Sequence, residues 1–234
     1  LEPARRRRAL LSVLVEAHAD VLCLQEVEPE VFEHLASGLE PLGYAGHYGQ
    51  KRRGRPDGCA TFVRTERFEA HHAKVLHYAD GEGRGGDSGH VALMVTLGAA
   101  DLSLGVANTH LRWDPPEVME EDRWAIRQVA ALVAAMAGDG GEWIVCGDFN
   151  VSPGDPALAH LERAGFADAH RSLSRWPTCC ANGQGQTLDY LCHSSGLVAA
   201  PAQVADIRGV TLLPSPAHPS DHLPLCAQFA AAAR

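Results

Sequence analysis

The sequence predicts an α+β fold, a four-layer α/β/β/α sandwich in which two packed, mainly antiparallel sheets carry helices on their outer faces. Short apolar strand candidates outnumber helical segments along the 234 residues. Some consecutive strands are separated only by turn residues and others by helices, so hairpins and helical crossovers are mixed. Because 46% of the residues are hydrophobic, a large core can form, and we expect residues 1–234 to be a single domain.

The first half of the chain is predicted to begin with a helix and a buried strand. Apolar residues at 10–17 recur at helical spacing, and the apolar run at 21–24 follows directly. A second helix is expected after Pro29, and residues 43–58 are rich in turn formers. Strands are then predicted at 59–63, 68–76, 91–97 and 102–108. Short polar breaks separate most of these strands, which favours an antiparallel section.

The second half of the chain is predicted to return to alternating helices and strands. Pro115 is expected to open the longest helix, which the glycines near 138–141 close. The remaining predictions are a strand at 143–146, a helix from Pro156, a strand at 188–191, an extended stretch at 198–210 and a last strand at 223–229.

The charge balance argues against binding to nucleic acid through bulk attraction. Lys and Arg number 20 against 29 Asp and Glu, which gives a net charge of −9. A phosphate substrate must therefore be held by local groups. Residues 51–55 supply four cations in a turn-rich segment, and Arg53 is our candidate for a substrate contact there. The alternative is an ordinary solvated surface run.

Five apolar segments end in side chains that can bind a metal or a phosphate. They are Leu24-Gln25-Glu26-Val27, Asn108-Thr109-His110-Leu111, Gly147-Asp148-Phe149-Asn150, Leu188-Asp189-Tyr190 and Ser220-Asp221-His222-Leu223-Pro224. One such ending is ordinary, since a solvated carboxylate or a turn built from Gly, Asp and Asn explains it. Five in one chain suggest that the strand ends converge on a single site.

The residue types at these strand ends suit hydrolysis of a phosphate ester. Glu26 is a candidate ligand for Mg²⁺, a hard cation that usually takes one or two protein carboxylates and fills its other positions with water and phosphate oxygens. Asp148 can orient or deprotonate water, while Asn150 donates its amide to a phosphate oxygen. His110 and His222, if protonated, would stabilise the charge that develops on the phosphate oxygens.

Three further residues are candidates for supporting roles. Asn108 precedes His110 by two positions and is expected to point the same way, hydrogen-bonding a carboxylate or the phosphate. Trp113 and Trp176 could stack on a nucleobase, or serve as a lid or as core filler. Tyr190 follows Asp189 and is expected to face away from the site into packing.

These segments, in this order, resemble the signature of the endonuclease/exonuclease/phosphatase superfamily, which has a deoxyribonuclease I-like fold. The resemblance covers residues 20–229. Details at 57–60, 108–115 and 219–224 are similar to the branch that contains poly(A)-specific deadenylases and nocturnin, although His90 stands where that branch usually has Asn.

The resemblance implies two further roles and one missing element. It pairs Asp189 with His222 as an orienting carboxylate, and it places Asp221 near the metal and the nucleophile. Family members also open with a strand that carries a metal-binding Asn. Residues 1–8 contain neither, so we expect that strand to precede the sequence given.

The sequence thus predicts a Mg²⁺-dependent phosphoesterase, with Mn²⁺ as a substitute ion, that acts on a nucleotide or nucleic-acid phosphate. The alternatives are a phosphatase for a small phosphorylated metabolite or lipid head group, and a catalytically silent binding module. Because no apolar run reaches the length of a membrane span, we expect no stable membrane insertion, and we expect a cytoplasmic location. No protein partner is implied.

Overall fold

A computed structural model describes residues 2–68, 70–81, 87–99, 102–115, 117–171, 177–180, 183–204, 213–215 and 218–232. Its helices and strands follow one another as α1 Pro3–Glu16, β1 Val21–Val27, α2 Pro29–Leu39, β2 Tyr44–Gln50, β3 Gly58–Arg64, β4 Ala70–His77, β5 Val91–Ala99, β6 Leu102–His110, α3 Trp124–Asp139, β7 Glu142–Asp148, α4 Pro156–Arg163, β8 Phe166–Asp168, β9 Asp189–Ser194, β10 Leu197–Pro201 and β11 Ala227–Ala231. Short 3₁₀ turns occur at Glu40–Leu42 and Glu120–Asp122.

Two principal sheets form the centre of the molecule. The larger has six strands in the order β4-β5-β6-β7-β9-β8, and the smaller has three in the order β1-β3-β2. Strands β10 and β11 form a separate two-stranded sheet. Among the paired strands, β6 and β7 are parallel and the other pairs are antiparallel. The predicted α+β class with mainly antiparallel sheets is confirmed.

Packing arranges these elements in four layers. Strand β5 contributes to two of the cores between these layers, because its successive side chains point to opposite faces of the sheet. Leu93 enters the core between the two sheets, whereas Met94 enters the core beneath α3 and α4, where Leu132 is also buried. On the far side, Leu35 of α2 packs with Phe62 of the smaller sheet. Helices therefore cover the outer face of each sheet, and the apolar inner faces pack against each other.

Two element predictions were wrong. Residues 44–50 form strand β2 instead of a turn, because the chain pairs along its whole length with the buried strand β3. Helix α3 begins at Trp124, not at Pro115. The side chain of Asp114 lies upstream of the helix and its Oδ2 accepts a hydrogen bond from the amide of Ala125 at 3.0 Å, so the loop, not a continuing helix, satisfies that donor.

The C-terminal predictions need smaller corrections. Strand β11 spans Ala227–Ala231 instead of starting at residue 223, because the preceding segment is held by the loop around Thr178, whose carbonyl accepts from the amide of Leu223. Strand β10 ends at Pro201, and residues 205–210 of the predicted stretch lie outside the described ranges. Among the helices of the described residues, none is long and apolar enough to cross a bilayer.

Candidate active site

The ends of three neighbouring strands bring the predicted polar residues together. His110 at the end of β6 is the register partner of Asp148 at the end of β7, and Asp148 is the partner of Asp189 at the start of β9. The Oδ2 of Asp148 lies 3.7 Å from Nε2 of His110 and 3.9 Å from Nε2 of His222. A carboxylate therefore stands between two imidazoles at one edge of the larger sheet.

His222 is held in place and kept charged by Asp189. Its Nδ1 lies 2.9 Å and 3.1 Å from the two carboxylate oxygens of Asp189. Burial alone would lower the pKa of His222, but the hydrogen bond and charge of Asp189, with the charges of Asp148 and Asp221, raise it to about 9. At neutral pH, His222 presents a protonated Nε2 to the site.

His110, in contrast to His222, is neutral at neutral pH. Its Nδ1 lies 3.2 Å from Nζ of Lys51, and its Nε2 lies 3.0 Å from Nδ2 of Asn150. Both ring nitrogens face hydrogen-bond donors, which disfavours a positive ring. Burial and the charge of Lys51 lower the pKa of His110 to about 3. His110 therefore does not meet the condition of a protonated ring, whereas His222 does.

The turn after β7 requires unusual backbone angles that its residues can adopt. Gly147 has φ +133°, and a Cβ there would lie 1.9 Å from the carbonyl oxygen of Thr109, so the close strand contact excludes a side chain. Asn150 has φ +51°, a region that Asn tolerates. Its backbone amide donates to Oδ1 of Asp148 at 2.8 Å, and its Nδ2 donates to the carbonyl of Leu111 at 2.9 Å.

Asp148 is poised to exchange a proton near neutral pH. The residue is buried, and desolvation together with the charge of Asp189 raises its pKa to about 7. The positive charge of His222 and the hydrogen bond from Asn150 act in the opposite direction, and the charge of Glu26 adds to the rise. Two acidic or basic groups with pKa values pushed apart, such as Asp148 and His222, are typical of acid–base sites.

A β-bulge presents Glu26 to solvent beside these residues. The register between β1 and β3 shifts between Leu24 and Val27, and Glu26 has φ +55° and an exposed side chain. Bulges re-aim a side chain next to functional sites. The half-buried Asp221 lies close enough to help raise the pKa of His222, so both predicted metal-site carboxylates are near the site.

Asn108 is a positioning residue in the core and does not face the substrate. Its side chain is fully buried, with 0% exposure. Its Nδ2 donates to the carbonyls of Leu24 at 3.1 Å and Ala60 at 2.9 Å, and its Oδ1 accepts from Nε2 of Gln25 at 2.7 Å. The prediction of a substrate contact is corrected accordingly, because these bonds join the two sheets directly behind Glu26.

Of the two cations Lys51 and Arg53, the structure brings Lys51 to the site. Lys51 is only 5% exposed, and its Nζ donates to Oδ2 of Asp57 at 2.5 Å while facing His110. Arg53 is exposed on the surface and pairs with Asp87 at 3.2 Å. One feature of the sequence could have indicated Lys51. It directly follows β2, and Asp57, its ion-pair partner, directly precedes β3, the strand that pairs with β2.

The aromatic candidates differ in position. Trp113 follows the His110 strand end and is 56% exposed, so its ring is available to a ligand. Trp176 lies outside the described residues. Tyr190 faces away from the site, as predicted, and packs edge-on against Phe149 in the core. His90 is buried, and its ring lies 5.7 Å from that of His110.

The acidic side chains suit a hard divalent cation. Glu26, Asp148, Asp189 and Asp221 supply oxygen donors, and the charges of Asp189 and Glu26 raise the pKa of Asp148, a repulsion that a cation would relieve. Within the part of the chain that the structure describes, no three His, Cys, Asp or Glu side chains are clustered to hold a metal by themselves.

Comparison with known proteins identifies the relatives of this chain. Residues 1–222 match the model described as "Endonuclease/Exonuclease/phosphatase family". Protein angel homolog 2 of Mus musculus is 31% identical over 166 residues, which cover 65% of this chain and 30% of that protein. Carbon catabolite repressor protein 4 homolog 4 of Arabidopsis thaliana is 26% identical over 295 residues, covering 96% of this chain and 70% of that protein.

Solved structures share the fold across nearly the whole chain. The human nocturnin catalytic domain with bound sulfate has a TM-score of 0.78 at 26% identity, covering 98% of this chain and 87% of that one. ANGEL2, a 2',3'-cyclic phosphatase, in complex with adenosine-2',3'-vanadate, has a TM-score of 0.83 at 23% identity, covering 97% and 86%. These relatives agree with the predicted deadenylase and nocturnin-like branch. The matched part of the chain spans about a third of the length of mouse protein angel homolog 2.

Proposed function

The chain belongs to the endonuclease/exonuclease/phosphatase family, and on this premise we propose that it is a Mg²⁺-dependent phosphoesterase that hydrolyses a phosphate ester of a nucleic acid or nucleotide. Relatives support this substrate class, since they include a protein described as a 3'-5'-exoribonuclease subunit and the 2',3'-cyclic phosphatase ANGEL2.

The observation that carries the proposal is the position of Asp148 between a neutral histidine, His110, and a protonated histidine, His222. The carboxylate, with its pKa near 7, can orient water and accept its proton. Nε2 of His222 is charged and lies 3.9 Å from the same carboxylate oxygen, so it can bind a non-bridging phosphate oxygen as negative charge develops there. Water and phosphate would thus meet at one point.

The surrounding residues supply the remaining contacts. Nδ2 of Asn150 lies 3.0 Å from Nε2 of His110, and a phosphate oxygen that replaced this nitrogen as the acceptor would receive the N–H of Asn150. Lys51 adds a buried positive charge behind His110. Glu26 and Asp221 would hold Mg²⁺, which when bound neutralises charge on the phosphate and the leaving group.

The test is hydrolysis of bis(p-nitrophenyl) phosphate and of labelled RNA and DNA oligonucleotides with Mg²⁺. We expect Asp148→Asn and His222→Gln each to lower kcat/KM by about 10²–10³-fold. Asp122→Asn, a partly exposed carboxylate at a surface ion pair, is the matched control and should keep full activity. Equal turnover by the wild type and Asp148→Asn would end the proposal.

A small phosphorylated metabolite or lipid head group is the second candidate substrate. The net charge of −9 favours it, because a long polyanion would be repelled by the average field. Salt dependence separates the two, since KM for a polymer should rise steeply between about 50 and 200 mM salt and KM for a single phosphate should rise much less.

A catalytically silent binding module is the third candidate, and Mg²⁺ titration addresses it. A working metal site should raise the melting temperature as Mg²⁺ is added, because ligand binding to the folded state stabilises it. A silent protein would hydrolyse none of the substrate panel at any Mg²⁺ concentration.

A further inference from the structure

Gln128 is a polar side chain within the apolar face of helix α3. The residue is 0% exposed, and Val129 and Leu132 of the same helix belong to the core between α3 and the larger sheet. A primary amide that is removed from water costs free energy unless its donor and acceptor groups are hydrogen-bonded. The partners of Gln128 therefore indicate what this buried amide does.

Asp80 and Ser88 hold the amide nitrogen of Gln128. Nε2 of Gln128 donates to Oδ2 of Asp80 at 2.5 Å and to Oγ of Ser88 at 2.9 Å. The two oxygens of Asp80 also accept from the backbone amide and the hydroxyl of Ser88, at 2.7 Å and 2.5 Å. Asp80 and Ser88 are each 2% exposed. Because both oxygens of Asp80 already act as acceptors, Gln128 must present its nitrogen, and not its oxygen, to them.

The amide oxygen of Gln128 is consequently directed at the backbone of Arg112. Oε1 of Gln128 accepts from the amide of Arg112 at 2.9 Å. Strand β6 ends at His110, two residues earlier, so the side chain supplies an acceptor that strand pairing no longer provides. The orientation of one buried amide is thus set on one side by a carboxylate and used on the other side by a backbone N–H.

The turn after β6 also carries contacts of the active site. The amide of Leu111 donates to the carbonyl of Asp148 at 2.8 Å, and the carbonyl of Leu111 accepts from Nδ2 of Asn150 at 2.9 Å. The same Nδ2 lies 3.0 Å from Nε2 of His110. A shift of the backbone at Arg112 would therefore displace the carbonyl that aligns Asn150 with His110.

We propose that Gln128 is a positioning residue for the active site, which fixes the backbone at Arg112 and thereby the alignment of His110. Asp80 and Ser88 orient its amide for this role. The effect on turnover rests on the proposed function. The alignment is also measured without turnover, from the ¹⁵N signals of the His110 ring, so failure of the proposed function can be told from failure of the positioning role.

Gln128→Met removes both hydrogen-bonding groups and keeps the length of the side chain. We expect kcat on bis(p-nitrophenyl) phosphate to fall about 10–100-fold and KM to change less than about threefold, because the alignment of reacting groups is lost and substrate binding is not. The ¹⁵N signals of the His110 ring, assigned by comparison with His110→Gln, should shift.

Leu132→Ala is the matched control, since it truncates another fully buried side chain of α3. It should lower the melting temperature at least as much as Gln128→Met, because it leaves a cavity in the core. Measured below that temperature, its kcat and the signals of the His110 ring should match those of the wild type. A role of Gln128 in stability alone would not separate the two variants in this way.

Asp80→Asn tests the orientation of the amide with little change in volume. In either orientation its Nδ2 faces a donor, which is the backbone amide of Ser88 or Nε2 of Gln128. The backbone amide cannot rotate, whereas the Gln128 amide can turn over, and it then presents Nε2 to the amide of Arg112. We expect the same loss of kcat as in Gln128→Met, and no further loss in the double variant, because both changes break one chain of contacts.

The outcomes decide the proposal in each case. Wild-type kcat together with unshifted His110 signals in Gln128→Met would overturn it, and so would an equal loss of kcat in Leu132→Ala. If Gln128→Met does not fold, Asp80→Asn decides by the same two measurements. If the wild type hydrolyses no phosphate ester, the His110 signals of the variants decide alone.

Discussion

The carboxylate of Asp189 lies 2.9 Å from Nδ1 of His222 at one end of the larger sheet, and this contact sets both the orientation and the charge of the histidine. Asp189 opens β9 and His222 is 33 positions further along the chain, so the pair forms only when the chain is folded. Because Asp189 makes the largest favourable contribution to the charge on His222, ahead of Asp148 and Asp221, its loss has a predictable effect on the pH profile.

We expect Asp189→Asn to lower kcat/KM about 10–100-fold, since the ring loses its orienting carboxylate. The loss should grow with pH. The raised pKa of about 9 keeps His222 charged through neutral pH in the wild type, whereas the variant lacks the hydrogen bond and charge of Asp189 and loses the positive charge at a lower pH. The measurement is kcat/KM on bis(p-nitrophenyl) phosphate from pH 6 to 8.5. A variant whose profile parallels that of the wild type would show that Asp189 does not control the charge.

Asp148→Asn should stabilise the protein while it inactivates it. The folded-state pKa of about 7 exceeds the ordinary value, so the folded protein binds the proton more tightly and loses stability as pH rises from about 4 to 7. An amide removes that cost and still accepts the hydrogen bond from Asn150. At pH 8 without Mg²⁺ we expect a gain of about 2–4 kcal/mol in the free energy of unfolding, measured with urea. No gain would mean that Asp148 is not desolvated as described.

Glu26→Gln tests the metal site directly. If Glu26 holds Mg²⁺, the substitution should raise the Mg²⁺ concentration needed for half-maximal thermal stabilisation about tenfold or more. Glu28→Gln, an exposed carboxylate two positions away, controls for the loss of surface charge and should behave like the wild type. Identical Mg²⁺ titrations of the wild type and Glu26→Gln would show that Glu26 is not a ligand of Mg²⁺.

His90→Asn should make the protein less sensitive to acid. Burial and the charge of Lys51 lower the pKa of His90 to about 2, so protonation favours the unfolded state below pH 6.5 and the folded state loses stability as pH falls. Between pH 7 and 5, the wild type should lose about 2 kcal/mol more of its free energy of unfolding than the variant. His72→Asn at an exposed position should retain the pH dependence of the wild type.

Asn108→Leu should destabilise the fold through the hydrogen bonds between the two sheets. The buried carbonyls of Leu24 and Ala60 and the amide of Gln25 would lose their partner, at a cost of about 2–4 kcal/mol. Gln228→Leu, at an exposed strand position, should change stability by less than about 0.5 kcal/mol. Urea unfolding of both variants checks this prediction. If Asn108→Leu and Gln228→Leu had the same free energy of unfolding, Asn108 would not be a positioning residue.

Local sequence patterns were sufficient where one segment decides its own structure. The apolar run of β5, the proline at the start of α4 and the strand-end pattern around Asp148 were interpreted correctly from neighbouring residues. They failed at β2, whose glycines favour a turn in isolation, because pairing with β3 outweighs local propensity. They also failed at α3, where the longer-range contact from Asp114 sets the helix start.

Periodicity and short motifs are local properties of the chain, and they were enough to predict the fold class, the family and the set of polar strand ends. Three properties became clear from the folded structure alone: Lys51 and not Arg53 lies at the site, His110 is neutral while His222 is charged, and Asn108 is buried between the sheets. Those outcomes depend on desolvation and on charges within a few ångströms, and residues that lie tens of positions apart acquire such neighbours only when the sheets pack.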